Sequence, residues 1–308
     1  MKRVFIATTS FGEFDDDPIN RLLLNGFEVI QNKTGKKLNN DEMIDSLSNC
    51  VGVIAGTENY SKKVLANLNT LKVISRLGVG IDNINLDYVK TQKIKLYTTK
   101  VHPKLAVAEL ILGLMIDLLR KISLQNFLLK SGKWNKTMGN ILSGKSLGII
   151  GYGNIGKELI SLSSGFNLNY LVHDPIINDK ETLNDKINFC DFNFLIKNSD
   201  IISINANLTE QNKGLFNYRI FQNMKNNSII INTSRGEIID EESLIKALEN
   251  NEISGAGLDV FNEEPYVGPL VKFPNVVTTP HIGSYAKETR IAMENEAVDN
   301  LLSYFIKK

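Results

Sequence analysis

"LGIIGYGNIGKELI", residues 147–160, decides the fold. It sets Gly151, Gly153 and Gly156 in a G-x-G-x-x-G directly after an apolar, β-type run and directly before a helical pattern. The first glycine makes a tight turn, the second lets the backbone approach a pyrophosphate, and the third allows close helix-to-strand packing. The helix N-terminus then points unpaired N–H groups and the positive end of its dipole at the anion. The following run, "LNYLVHD", ends in Asp174, eighteen residues beyond Gly156. An acidic side chain at that strand tip accepts both ribose hydroxyls of an adenosine and repels a 2′-phosphate, which favours NAD over NADP. The bland alternative is a glycine-rich turn with an incidental surface acid. The strand, turn, helix and acid in register favour the cofactor reading. His173 beside Asp174 reads as a bystander at a strand end.

Outward from that turn, short β-branched runs alternate with helical patterns: "RVFIAT", "GVIAGT", "LKVISRLGVG", "SLGIIGYG", "LNYLVHD", "DIISINA", "SIIINTS", "GAGLDVF" and "NVVTTP". Such runs, apolar at most positions, are the sequence form of parallel strands covered by helices on both faces. The fold class is therefore α/β, doubly wound. At 308 residues the chain exceeds the usual single-domain size, and two domains imply a cleft. A long apolar helix is expected from about Leu105 to Leu129, with a second α/β unit beginning at Lys145. An amphipathic pattern from Ser284 to Phe305 predicts a closing helix that crosses back to the first unit.

Bulk properties narrow the function. Lysine and arginine number 35 against 34 acidic residues, a net charge of +1, so charge argues for neither a nucleic-acid nor an acidic-membrane partner and points to small molecules. Cys50 and Cys190 are the only cysteines, too few for a disulfide framework and wrongly spaced for zinc, which suits a reducing, cytoplasmic home. The N-terminal apolar run stops at Ala7 and acidic residues follow, which reads as a first strand and not a secretory leader. The apolar stretch from Leu105 to Ile122 carries Glu109 and Asp117, which argues for a buried helix over a membrane span.

Three stretches bring chemically able side chains to strand ends: "IIINTSRGEIIDEESL" (229–244), "GAGLDVFNEEP" (255–265) and "VVTTPHIGS" (276–284). In a doubly wound sheet the carboxyl ends of strands border the ligand crevice, so Arg235, Asp259, Glu264 and His281 are expected on one rim. A nicotinamide exchanges hydride, and the protein must add a proton carrier, an anchor for a carboxylate and orientation. His281 suits proton exchange near neutral pH, Glu264 suits fixing its tautomer, and Arg235 offers a bidentate fork for a carboxylate. Read from position alone, a lone histidine after Thr-Pro is more often a capping or turn residue, Arg235 reads as well as a loop ion pair with Glu237, and "NEEP" as ordinary turn acids. No metal-binding cluster is evident, so no metal is expected.

At this point the chain resembles the D-isomer-specific 2-hydroxyacid dehydrogenases, most closely their phosphoglycerate-dehydrogenase-like branch. The resemblance runs through "LKVISRLGVGIDNINLD", "LAVAELILGLM", "SGKWNKTMGNILSGKSLGIIGYGNIGKEL", "NTSRGEIIDEESLIKALENNEISGAGLDVFNEEP" and "TTPHIGSYAKET". It implies a catalytic set of Arg235, Glu264 and His281, and NAD contacts from Asn154, Ile155, Asp174, Ala206, Thr233 and Asp259 beside the three glycines. The backbone of Gly78, Val79 and Gly80 is implied to hold the substrate carboxylate. The layout implied is two Rossmann-like domains, the NAD domain (101–283) inserted into a substrate domain (1–100 with 284–308), closing about a hinge, with a homodimer formed through the NAD domain. The implied activity is NAD-dependent hydride transfer at C2 of a (R)-2-hydroxy acid, 3-phosphoglycerate-like or glycerate-like.

Two departures bear on the substrate. Family members often carry His-x-Pro-Leu-Thr where this chain reads "NANLT" (205–209), which predicts a looser cofactor wall. Phosphoglycerate-specific relatives tend to place an arginine where this chain has Ala55, and the phosphate anchor is unfilled unless Lys62, Lys63 or Lys104 substitutes. No extension follows Lys308, so an added regulatory domain is not expected. The rival readings are a glyoxylate or hydroxypyruvate reductase and a non-catalytic NAD-sensing module of the corepressor type.

Overall fold

The computed structural model describes residues 1–100, 103–177 and 186–306. His102 therefore lies outside the described residues, as does Lys308. The chain divides into two compact units, Met1–Pro103 with Tyr285–Lys308, and Lys104–Ser284.

The first unit begins with β1 (Lys2–Ile6), α1 (Asp17–Leu24), β2 (Phe27–Gln31), α2 (Asn40–Leu47), β3 (Cys50–Ala55), α3 (Lys62–Leu65), β4 (Val73–Arg76), α4 (Leu86–Thr91) and β5 (Lys95–Thr98). The second contributes α5 (Lys104–Arg120), α6 (Ile122–Lys130), β6 (Ser146–Ile150), α7 (Asn154–Ser163), β7 (Asn169–His173), β8 (Ile187–Phe189), α8 (Phe192–Asn198) and β9 (Ile201–Ile204). It continues with α9 (Tyr218–Gln222), β10 (Ile229–Asn232), α10 (Glu241–Glu249), β11 (Gly255–Leu258) and β12 (Val276–Thr278). The chain then returns to the first unit as α11 (Lys287–Phe305).

Both sheets are wholly parallel. The first unit has five strands in the order β2-β1-β3-β4-β5, and the second has seven in the order β12-β11-β10-β9-β6-β7-β8. Each is covered on both faces because its interior strands are apolar on both sides. In the five-stranded unit, Met43, Leu47, Val64 and Val89 pack one face, and Met293, Val298 and Leu301 of α11 pack the other. In the seven-stranded unit, Ile111, Met115 and Leu159 cover one face, while Leu195, Phe221, Leu244 and Leu248 cover the other. Two doubly wound α/β units are thus what the alternating runs called for.

The expected single helix over 105–129 is two helices. Lys121 takes a left-handed conformation, φ 56°, which ends α5 at Arg120 and starts α6 in a new direction. Three strands absent from the sequence reading are β2, β5 and β8, and each is an edge strand of its sheet. An edge strand has one neighbour and a more solvated surface, so "FEVIQ" and "KLYT" are interrupted by Glu28, Gln31 and Lys95 and form no continuous apolar run.

Candidate active site

The seven-stranded order reverses its direction of growth at β6 and β9, the place where an open α/β sheet leaves a crevice beyond its carboxyl ends. The glycine turn sits there. Gly151 has φ +93°, and a Cβ on it would lie 2.9 Å from the Ala206 nitrogen, so only glycine lets the turn pass the end of β9. At Gly156 a Cβ would meet the Gly151 carbonyl oxygen at 2.4 Å, which seats α7 against the turn. Gly153 differs: a Cβ there meets nothing within 4 Å, and it caps α7 without a side-chain hydrogen bond. Open space over the uncapped start of a ten-residue helix fits a pyrophosphate, with Asn154 and Ile155 supplying the first helical N–H groups.

Asp174 is positioned by the same turn. Its Oδ2 accepts the Tyr152 N–H at 2.8 Å and its Oδ1 accepts the Ile176 N–H at 3.0 Å. The acid thus holds the glycine turn and stands at the tip of β7. His173 turns away from this work, its Nδ1 meeting the Cys190 carbonyl oxygen at 3.1 Å. Asn205 folds back on its own strand, donating to the Ser203 carbonyl at 3.2 Å.

Next along the edge, Asn232, Leu258 and Thr278 pair across β10, β11 and β12, so the residues that follow them issue from one rim. Thr233 and Arg235 follow β10. The buried Asn232 side chain builds their turn, accepting from the Ser234 N–H at 3.1 Å and donating to the Arg235 carbonyl at 2.9 Å. Gly236 presses this turn onto the next loop: a Cβ there would lie 2.0 Å from the Phe261 carbonyl carbon. The turn bearing Arg235 and the loop leading to Glu264 are in this way packed backbone on backbone.

Glu264 and His281 meet directly. His281 Nδ1 lies 2.9 Å from Glu264 Oε2 and 3.2 Å from Oε1. Glu264 Oε1 also accepts the Phe261 N–H at 3.3 Å, which ties the acid to its own loop. With Nδ1 engaged by Glu264, the other ring nitrogen is Nε2. The histidine is held in a left-handed conformation, φ 54°. A third residue imposes that geometry. Asp259, fully buried, accepts Thr279 Oγ1 at 2.6 Å and the Ile282 N–H at 2.8 Å through Oδ1, and the Gly283 N–H at 2.9 Å through Oδ2. Its carbonyl also takes the His281 N–H at 2.9 Å. Burial pushes the Asp259 carboxyl above the ordinary aspartate range, and its hydrogen bonds to Thr279, Ile282 and Gly283 offset part of that rise.

The sequence reading named Asp259 only as a cofactor contact and did not see it as the staple of the histidine loop. Thr279 and Gly236 were missed altogether. The doubled threonine before Pro280 was the one visible signal for the former.

In the five-stranded unit the stretch Gly78, Val79 and Gly80 follows β4. Gly78 has φ +140° and donates its N–H to Thr99 Oγ1 at 3.1 Å. The buried Arg76 guanidinium donates to the carbonyls of Leu77 and Gly80, the latter at 3.1 Å. Of the lysines offered as substitutes for a phosphate anchor, Lys104 is ion-paired with Glu158 at 2.7 Å, and Lys62 and Lys63 are exposed on the first turn of α3.

A G-x-G-x-x-G turn at the reversal of a parallel sheet, with a His-Glu pair on the same carboxyl edge, defines an NAD-binding oxidoreductase. The chain belongs to the D-isomer specific 2-hydroxyacid dehydrogenase family, whose NAD binding domain matches residues 112–283. It is 34% identical over 297 residues to a hydroxypyruvate reductase of Thermotoga maritima, covering 93% of this chain and 95% of that one. It is 36% identical over 260 residues to a glyoxylate reductase of Thermococcus litoralis, covering 80% of this chain and 78% of that protein. A solved structure of a Thermus thermophilus protein superposes with a TM-score of 0.88 at 30% identity, covering 98% of this chain and 96% of the other. The chain is therefore a dehydrogenase of this family, and NAD is its cofactor.

Proposed function

We propose that the chain moves hydride between C2 of a (R)-2-hydroxy acid and the nicotinamide of NAD, with His281 as acid/base, Glu264 as its partner and Arg235 as carboxylate clamp. The carrying observation is the His281–Glu264 contact of 2.9 Å at the carboxyl edge of the sheet. The bound cofactor supplies the hydride acceptor or donor; the residues supply the rest. Nε2 of His281 takes the C2 hydroxyl proton during oxidation and returns it during reduction, and Glu264 favours the imidazolium formed in between. Arg235 orients the acid through its carboxylate and polarises the neighbouring oxygen.

Gly78, Val79 and Gly80 are proposed as a second hold on that carboxylate. Arg76 already engages the carbonyls of Leu77 and Gly80, so the amides of Val79 and Gly80 are the polar groups of this turn available to an anion. Asn154, Ile155, Asp174, Ala206, Thr233 and Asp259 are proposed as NAD contacts with the glycine turn. In this reading 101–283 is the cofactor domain and the remainder the substrate domain of a cytoplasmic homodimer. A reductase acting on glyoxylate or hydroxypyruvate is the second reading, supported by the activities of the Thermotoga and Thermococcus relatives.

The test is His281→Asn, which keeps a polar side chain but no titratable nitrogen. With 2-oxo acids and NADH, kcat is expected to fall by about 10²–10⁴-fold while NADH binding, read by fluorescence, is retained. Undiminished turnover refutes the assignment.

A further inference from the structure

Glu264 sits in a connection, residues 260–268, that belongs to no strand or helix, so tethers from its neighbours decide where its carboxylate stands. The turn after β10 supplies one of them. Gly236 presses on this connection closely enough that a Cβ would lie 2.5 Å from the Asn262 nitrogen. At the first position of α10 the same segment reaches the connection a second time, where Glu241 Oε1 accepts the Asn262 N–H at 2.8 Å. That bond is shorter than the 3.3 Å bond by which Glu264 Oε1 holds the Phe261 N–H of its own loop. An ionised acceptor makes such a bond about twice as strong as a neutral one.

The ordinary role of an acid in the first turn of a helix is to complement the positive end of the dipole. Glu241 goes beyond that role. Asp240 already caps α10, its Oδ2 accepting Ser243 Oγ at 2.8 Å, and Glu242, exposed in the same turn, brings a second negative charge to the helix start. The Glu241 carboxylate faces the loop instead. Its charge is felt at Tyr266, whose phenol is raised above the usual range by burial first and by Glu241 in lesser part, while the Leu270 N–H that it accepts at 3.3 Å offsets some of the rise. Phe261 stacks on that Tyr266 ring, centroids 4.2 Å apart and planes at 18°. Glu241 therefore grips the loop at Asn262, between the stacked Phe261 and the acid at 264.

We propose that Glu241 is a positioning residue for the acid–base pair: by holding the Asn262 N–H it keeps the Glu264 carboxylate against His281 Nδ1. The proposal deepens the hydride-transfer reading above and rests on it. Glu241 acts through Glu264 and exchanges no proton itself. Misplacing a reacting group by about 1 Å can cost about 100-fold in rate, so a tether two residues from Glu264 is a sensitive place to act.

Two substitutions separate the tether from the dipole. Glu241→Asp keeps the charge at the start of α10 but withdraws the acceptor by one methylene, whereas Glu241→Gln drops the charge and keeps an oxygen at the same reach. Both are assayed across pH with NADH and glyoxylate, pyruvate or hydroxypyruvate. Glu241→Asp is expected to lower kcat by about tenfold with the NADH Kd unchanged. It should also move the alkaline limb of kcat/KM for reduction to lower pH by about half a unit, because a displaced Glu264 favours the imidazolium less. Glu241→Gln should stay within about twofold of the wild type, its limb unmoved. Equal losses in the two variants, the reverse order that a dipole role predicts, or a folded Asp variant with wild-type kcat and pH profile overturns the proposal while leaving the dehydrogenase intact. Amide exchange in the wild type keeps the test decisive if the Asp variant folds poorly: the Asn262 N–H should exchange more slowly than an open amide by about tenfold or more, and an unprotected Asn262 overturns the tether. Absence of wild-type turnover on all three acids, with NADH still bound, overturns the hydride-transfer reading and this proposal with it.

Discussion

At the scale of single residues, Asp259 governs the histidine. A carboxylate with three donors from 279–283 fixes a loop that would otherwise have to hold His281 at positive φ by itself. Asp259→Asn presents an amide N–H₂ where one of those donors expects an acceptor, and the mismatch should lower stability by about 1–3 kcal/mol. It should also slow turnover, since His281 loses its fixed approach. The pH dependence follows from burial, which raises the Asp259 carboxyl above its unfolded value. A raised acid binds its proton more tightly when folded, so its contribution is fullest below the unfolded pKa, about 4, and is lost as pH rises through the folded value. The stability gap between wild type and Asp259→Asn, measured by urea unfolding, should therefore narrow from about pH 4 upward. A gap that widens over that range contradicts a raised carboxyl.

At the scale of elements, the turn from β6 into α7 separates folding from binding within a few residues. Gly153→Ala adds a methyl into open space at φ −80°, an ordinary conformation, so the melting temperature should hold. The same methyl occupies the approach to the helix N-terminus, and the NADH Kd should rise by about tenfold, a loss of about 1.4 kcal/mol. Gly151→Ala should do the reverse in kind. Its φ of +93° and its 2.9 Å clearance from Ala206 make the alanine strained by about 1–3 kcal/mol, read as a lower melting temperature even without cofactor. Equal effects of the two substitutions on melting would show that the turn is not divided in this way.

The legibility of the chain follows the same division. Interior strands and the glycine turn could be read because their constraints are local: apolar runs, glycine spacing, an acid at a strand tip. Glu264 and His281 could be placed on one rim because parallel strands end together. The edge strands β2, β5 and β8 could not, since a one-sided strand needs no apolar run. Nor could the break at Lys121, where no glycine or proline announces the left-handed turn. Gly236, Thr279 and the second role of Asp259 depend on which loops touch, and no periodicity encodes that.

At the scale of the whole molecule, one segment keeps its large apolar side chains exposed. The α6 sequence, "ISLQNFLLK", is apolar, yet none of its residues is buried. Phe127 and Leu129 within it are open, and the chain that follows is no better covered: Trp134 is 80% exposed, Met138 88% and Ile141 70%. An amphipathic helix normally buries its apolar stripe, and a concentration of large exposed apolar side chains marks an interaction surface. Burying five such side chains is worth about 1.5–3 kcal/mol each, enough to offset an association cost of about 4–15 kcal/mol. In the homodimer proposed above, one copy of this segment would meet another about a two-fold axis, the commonest symmetry of soluble oligomers. Light scattering on purified protein should therefore give twice the 34.4 kDa chain mass at micromolar concentration. Trp134→Glu with Met138→Glu should shift it to the single-chain mass while leaving the far-ultraviolet dichroism unchanged. A wild-type protein that scatters as one chain, or a double variant that remains paired, would place the dimer contact elsewhere or remove it.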